Sequence, residues 1–143
     1  GFALGVALNE TGLAANLINS IPFNSWPVLA VLIGSGVICY TLSNFISNTA
    51  TAALLVPILA VVGKSMTAEL APIGGVACLL IGIAIAASMA MVLPISTPPN
   101  ALAHGTGMIE QKYMAKSGLI MGIIGLVLGY GMLVLLGTVG FFG

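Results

Sequence analysis

The chain contains no arginine and no aspartate. Its charge rests on three lysines and three glutamates, 4% of 143 residues, and these cancel. Soluble domains carry about 25% charged residues. So little charge would leave a soluble surface unsolvated, which excludes a water-soluble globular fold. Zero net charge also gives no argument for nucleic acid or for an acidic partner. One histidine, His104, and two cysteines, Cys39 and Cys78, leave no His/Cys/carboxylate cluster for a transition metal. No nucleophile has a base beside it, so the chain is not read as an enzyme. Both cysteines sit inside apolar runs, where a thiol behaves as a small buried hydrophobe and says nothing of redox compartment. There is no signal peptide. The sequence opens on Gly1 in mid-pattern, as a piece of a longer protein would.

What remains is apolar: 59% hydrophobic residues and a mean hydropathy of +1.22. The fold class expected is an all-α integral membrane protein. Residues 1–26 read as the end of a preceding transmembrane helix plus a short interfacial helix. Asn9-Glu10-Thr11 spells a glycosylation acceptor that chance explains. Residues 27–63 are apolar, broken only by Ser43-Asn44 and Ser47-Asn48-Thr49. One helix over 28–63 would be roughly 54 Å long, against a hydrocarbon core of about 30 Å. It must break where Ser, Asn and Thr compete for the backbone. The second arm, about 14 apolar residues, is short for a crossing, so the pair reads as a re-entrant hairpin. Residues 64–72 form a polar link. Residues 73–109 read as a broken transmembrane helix, interrupted by Pro94 and by Pro98-Pro99. Residues 110–117 form a second polar link and 118–143 a last transmembrane helix. There Gly118, Gly122, Gly125 and Gly129 leave room for a close neighbour, within the subunit or in a dimer.

The two breaks carry the chemistry. The first offers Ser43, Ser47, Thr49, Thr51, Asn44 and Asn48. The second offers Ser96, Thr97 and Asn100. Carbonyls at the end of one half-helix suit a small cation. N–H groups at the start of the next suit an anion. Without arginine, a carboxylate would be met by hydroxyls, amides, helix ends and bound cations. Asn48 could face the ion with its amide oxygen and the anion with its amide NH₂, or could simply cap the second arm. His104 reads as packed or interfacial; a pH-sensing role is the minor alternative.

Two motifs carry a family resemblance. Ser47-Asn48-Thr49, followed by Ala-rich sequence and Pro57, resembles the Ser-Asn-Thr signature of the divalent anion/sodium symporters. Ser88-x-x-Met91-x-x-Pro94-Ile95-Ser96-x-x-x-Asn100-x-Leu102 resembles their second signature. Met91 stands for its usual aromatic and Ala103 for valine, both still apolar. The resemblance implies the C-terminal half of a carrier of di- or tricarboxylates or, in some members, sulfate, coupled to Na⁺. It implies one inverted repeat of a secondary transporter: a re-entrant hairpin, a discontinuous transmembrane helix and a final helix. The missing N-terminal repeat would supply the rest of the site. By position, Ser47, Asn48, Thr49, Thr97 and Pro98 would contact the substrate. Ser43, Ile46, Asn48 and Ser96 would hold one Na⁺. The family further implies a homodimer and a vertically moving transport domain. A Na⁺-independent dicarboxylate exchanger and a structural or channel-like subunit are the alternatives. Lys112 and Lys116 would mark the cytoplasmic link, by the bias of lysine to that side. The plasma membrane of a prokaryote is the expected location.

Overall fold

Long apolar runs separated by short polar breaks become helices separated by tight turns. A computed structural model describes residues 25–142 continuously, with Ala3, Ala7, Glu10, Thr11, Gly12, Asn16, Ser20 and Pro22 before them. The helix end and interfacial helix expected over residues 1–26 lie largely outside the described residues, as does Asn9. Among the described residues there is helix and no strand.

Helix α1, Val28–Phe45, follows Pro27. Two residues later α2 runs from Asn48 to Ser65. Ser47 is extended and caps it, its Oγ accepting from the Ala50 N–H at 3.2 Å. A Ser N-cap satisfies one of the first orphan donors of the helix. At its other end Lys64 sits favourably near the negative helix pole. Helix α2 thus takes in polar residues at both ends and reaches 18 residues, longer than its apolar run of about 14. Pro57 lies inside it without ending it.

A short helix α3, Thr67–Leu70, and a 3₁₀ turn, Ala71–Ile73, lead to α4, Gly75–Met89. The axis bends by 70° there. Gly74 and Gly75 make the bend with φ of 105° and 69°, a region that favours glycine. A Cβ on Gly74 would also press on Phe142 and on the Gly137 backbone at about 3 Å.

Helix α4 is the centre of the bundle, packed against α1, α2 and α6. Its run of Ala, Gly, Ile and Leu has no polar face, as expected of a helix surrounded by others. Cys78, Leu79, Ile83, Ala86 and Ala87 are buried on it. The chain then leaves helix until α5, Pro98–Gly105, and closes with α6, Gln111–Thr138. Gly118, Gly122, Gly125 and Gly129 of α6 face inward. A Cβ at Gly118 would collide with the Met91 carbonyl, at Gly122 with Tyr40 and Met89, at Gly125 with Met89, and at Gly129 with Ile85. The glycine stripe is therefore spent on close packing within the chain. The opposite face of α6 exposes Ile120, Met121, Val127, Leu128 and Met132.

By length and composition α1, α2 and α6 could each cross a membrane, and the bent pair ending in α4 would make a fourth span.

Candidate functional site

The end of α1, the start of α2 and the non-helical stretch before α5 meet at one place. The Asn48 N–H donates to the Ser96 carbonyl at 3.1 Å. Ser96 Oγ donates to the Asn44 carbonyl at 3.4 Å. The Val92 N–H donates to Asn44 Oδ1 at 2.9 Å, while Asn44 Nδ2 donates to the Tyr40 carbonyl at 2.9 Å. Asn100 Nδ2 reaches back to the Met91 carbonyl at 3.0 Å. Side-chain amides thus replace the helical ladder that Pro94, Pro98 and Pro99 forbid. Asn44 and Asn100 enter the sequence reading only as polar groups at the breaks. Their work as stitches depends on partners far along the chain and has no local signal.

The bonds of Ser96 to Asn48 and Asn44 bring the two breaks together, so that Ser47 and Thr49 on one side and Thr97 and Pro98 on the other lie within a residue or two of the join. Ser43 and Ile46 belong to the end of α1 and the turn that follows it. Ser47 and Thr97 occupy equivalent positions. Each is extended and caps the helix that follows, Thr97 Oγ1 accepting from the Asn100 N–H at 3.3 Å. The cap of α2 is Ser47 and not Asn48, which is the first helical residue. A capping hydroxyl accepts through a lone pair and keeps its proton. Both Ser47 and Thr97 can still donate.

The two helix starts differ as anion sites. Helix α2 keeps the Thr49 N–H free, as its second residue should. Helix α5 begins with Pro98 and Pro99, which have no N–H, and its next two donors go to Thr97. The expectation of free backbone N–H groups at both breaks therefore holds for α2 alone. At α5 the donor is the Thr97 hydroxyl.

Behind these donors lie oxygens with nothing to accept. Ser43 and Thr51 are both 0% exposed, and neither hydroxyl has a hydrogen-bond partner. Asn48 Oδ1 is also buried without a partner. Cys39, one turn before Ser43, lies close enough for a weak side-chain interaction with its hydroxyl, and its thiol donates to the Ile83 carbonyl at 3.5 Å. No backbone N–H reaches the Ile46 carbonyl. The Ser96 carbonyl accepts one bond and has a second lone pair left. Buried polar atoms are nearly always paired, so several unpaired oxygens at one join suit a small cation.

His104 stands at the other end of α5. Its Nδ1 lies 3.2 Å from the Ile109 carbonyl oxygen and must donate to it. It takes no part in the join. A cleft of about 660 Å³ opens between α5 and α6, with Lys116 its one charged lining residue. Lys112 instead pairs with Glu110 at 3.0 Å, exposed on the surface.

Residues 1–140 match the sodium:sulfate symporter transmembrane region. The chain is 34% identical to the Na⁺/dicarboxylate cotransporter 3 of Rattus norvegicus, over 90% of this chain and 20% of that one. It is 35% identical to a sodium-dependent dicarboxylate transporter of Staphylococcus saprophyticus, over 89% and 24%. It is 37% identical to an uncharacterized transporter of Haemophilus influenzae, over 87% and 26%. The chain thus spans about a fifth to a quarter of the length of these relatives.

Proposed function

The chain belongs to the sodium:sulfate symporter family, and on that premise we propose that it is part of a secondary transporter moving di- or tricarboxylate anions, or sulfate, together with Na⁺. The observation that carries this reading is the division of polar atoms at the join. One set can donate: the Ser47 and Thr97 hydroxyls, the Thr49 hydroxyl and N–H, and the Asn48 amide Nδ2. The other set is oxygens with a lone pair to offer: Ser43 Oγ, Asn48 Oδ1 and the Ile46 carbonyl. Donors suit a carboxylate and acceptors suit Na⁺. Asn48 belongs to both sets, and so couples ion to anion. Pro98, exposed beside Thr97, gives the substrate an apolar wall.

In this reading α1 and α2 form a re-entrant hairpin whose tip is residues 46–47. Helices α4 and α5 form a discontinuous span, with the stretch between them lining the site. Irregular backbone at membrane depth is tolerated only where protein or a wet cavity surrounds it. A second, inverted repeat would close the site from the far side, in a homodimer whose moving domain carries both. In this reading the start of α6, with Lys112 and Lys116, faces the cytoplasm of a prokaryote, in keeping with the bias of lysine to that side.

Uptake of labelled succinate by liposomes carrying the intact protein tests this. Uptake that requires external Na⁺ is the expected result. Uptake that needs internal dicarboxylate and ignores Na⁺ would make the protein an exchanger. Neither would reduce the join to packing and overturn the proposal.

A further inference from the structure

Most helical hydroxyls in this chain follow a habit, and the buried pair Ser43 and Thr51 departs from it. Elsewhere, buried or not, Ser and Thr inside the helices donate to a carbonyl one turn back. Thr41 does so to Val37 at 2.8 Å, Ser88 to Ala84 at 2.7 Å, and Ser35 to Leu32 at 3.0 Å. This back-bond is open to any helical Ser or Thr and satisfies the group without outside help. Thr51 does not make it. The Ser47 carbonyl, four residues back, accepts only the Thr51 N–H, at 2.9 Å. The Thr51 hydroxyl is left fully buried and unpaired.

Its position explains what it faces. Thr51 and Asn48 are three residues apart on α2, so their Cβ atoms lie about 5–6 Å apart on one face. Ser43 lies three residues before the turn on α1, and Thr51 four residues after it on α2. The two fully buried hydroxyls without partners thus flank residues 46–47 from either arm, and Asn48 Oδ1 is buried and unpartnered as well. Tyr40 and Tyr130 also carry unpaired hydroxyls, but those sit against Gly122 and against Gly36 and Gly82.

We propose that Thr51 Oγ1 is a direct ligand of the cation held behind the join, completing a set with Ser43 Oγ and Asn48 Oδ1. The inference rests on the reading of that join as a Na⁺ site and adds a residue that neither sequence motif assigns. The hydroxyl offers the ion a lone pair that no protein donor uses. A neutral oxygen set of this kind suits a small hard cation and gives sulfur ligands no advantage.

The test uses the intact protein in lipid nanodiscs, with NaCl titrated against choline chloride and thermal unfolding as readout. Thr51→Val keeps the shape and removes the hydroxyl. The Na⁺ concentration for half-maximal stabilisation should rise about tenfold, as expected for losing one bond to a charged group. Without Na⁺ the same variant should be as stable as the parent or more so, because an unpaired buried hydroxyl has gone. Thr51→Ser should stay within about twofold of the parent. Should Thr51→Val fail to fold, Thr51→Cys takes its place, since a thiol fills the site but is a poor ligand for Na⁺. An unchanged Na⁺ midpoint in a folded Val or Cys variant overturns the ligand role and leaves the wider reading intact. No Na⁺ response in the parent protein overturns the cation site itself, and this inference with it.

Discussion

Asn44→Leu tests how the join is held. Asn44 is 6% exposed, so leucine fills nearly the same buried volume. What changes is the bonding. Val92 N–H loses its acceptor, Oδ1 at 2.9 Å. Tyr40 loses the amide donor at 2.9 Å, but its carbonyl keeps its helical partner and suffers little. The Ser96 hydroxyl bonds the backbone of residue 44, so that contact survives the substitution. The cost is therefore one part-buried N–H left without a partner, about 1–3 kcal/mol. Taking about 2 kcal/mol, opening of the stretch between α4 and α5 should become roughly 30-fold easier. This is local: the helices keep their own ladders, and proteins open in parts before they unfold as a whole. Hydrogen exchange followed by mass spectrometry reads it directly. Peptides covering residues 90–97 and the start of α2 should exchange roughly 30-fold faster, while α4 and the middle of α6 keep their protection. Asn44→Asp retains an acceptor for Val92 and should preserve protection at that amide. Equal exchange in Asn44→Leu and the parent would show that Asn44 does not hold the join, and the account of the non-helical stretch would fail.

Two further substitutions probe the same region. Gly118→Ala would put a methyl against the Met91 carbonyl and about 3 Å from Val92 Cα, backbone that cannot swing aside; a loss of about 1–3 kcal/mol is expected, read by thermal unfolding in detergent. Gly131→Ala meets nothing within 4 Å and should be neutral or slightly stabilising. Asn48→Asp removes the donor from Nδ2 and adds a negative charge; carboxylate uptake should be largely abolished while Na⁺ still raises the melting temperature. Helix starts favour acidic residues, so near-normal uptake by a well-folded Asn48→Asp protein would reduce Asn48 to a structural residue.

How much of this was legible before folding depends on whether the signal is local. Proline is a local signal: Pro94, Pro98 and Pro99 mark the stretch that leaves helix, because each removes a donor wherever it stands. Counting apolar residues underestimates helix length, because helices admit polar residues at their ends. Helix α2 begins at Asn48 behind the Ser47 cap and carries Lys64 in its last turn. Helix α6 begins at Gln111 and takes in Lys112 and Lys116. The spacing of the α6 glycines announces a close neighbour but cannot name Met89 and Met91 as that neighbour. The Asn44–Val92 bond joins residues 48 apart, and no window of sequence contains both.

The prolines also decide the chemistry of the join, beyond breaking a helix. A helix start ordinarily attracts anions through free N–H groups as well as through its dipole. Pro98 and Pro99 delete the first two of those groups in α5, and the Thr97 cap consumes the next two. The dipole remains, yet α5 has no backbone donor to give. From this chain, an anion proposed to bind there would be met by the Thr97 hydroxyl on that side and by Ser47, Asn48 and Thr49 on the other. That leaves few donors for a dianion in a chain without arginine. In the proposed reading a cation beside Asn48 would offset the anion's charge, and the unpaired oxygens of Ser43 and Thr51 would be free to hold it. In that reading the coupling of ion to substrate rests on this shortage: without the cation, the hydroxyls and amides of this chain have no positive charge to set against the anion.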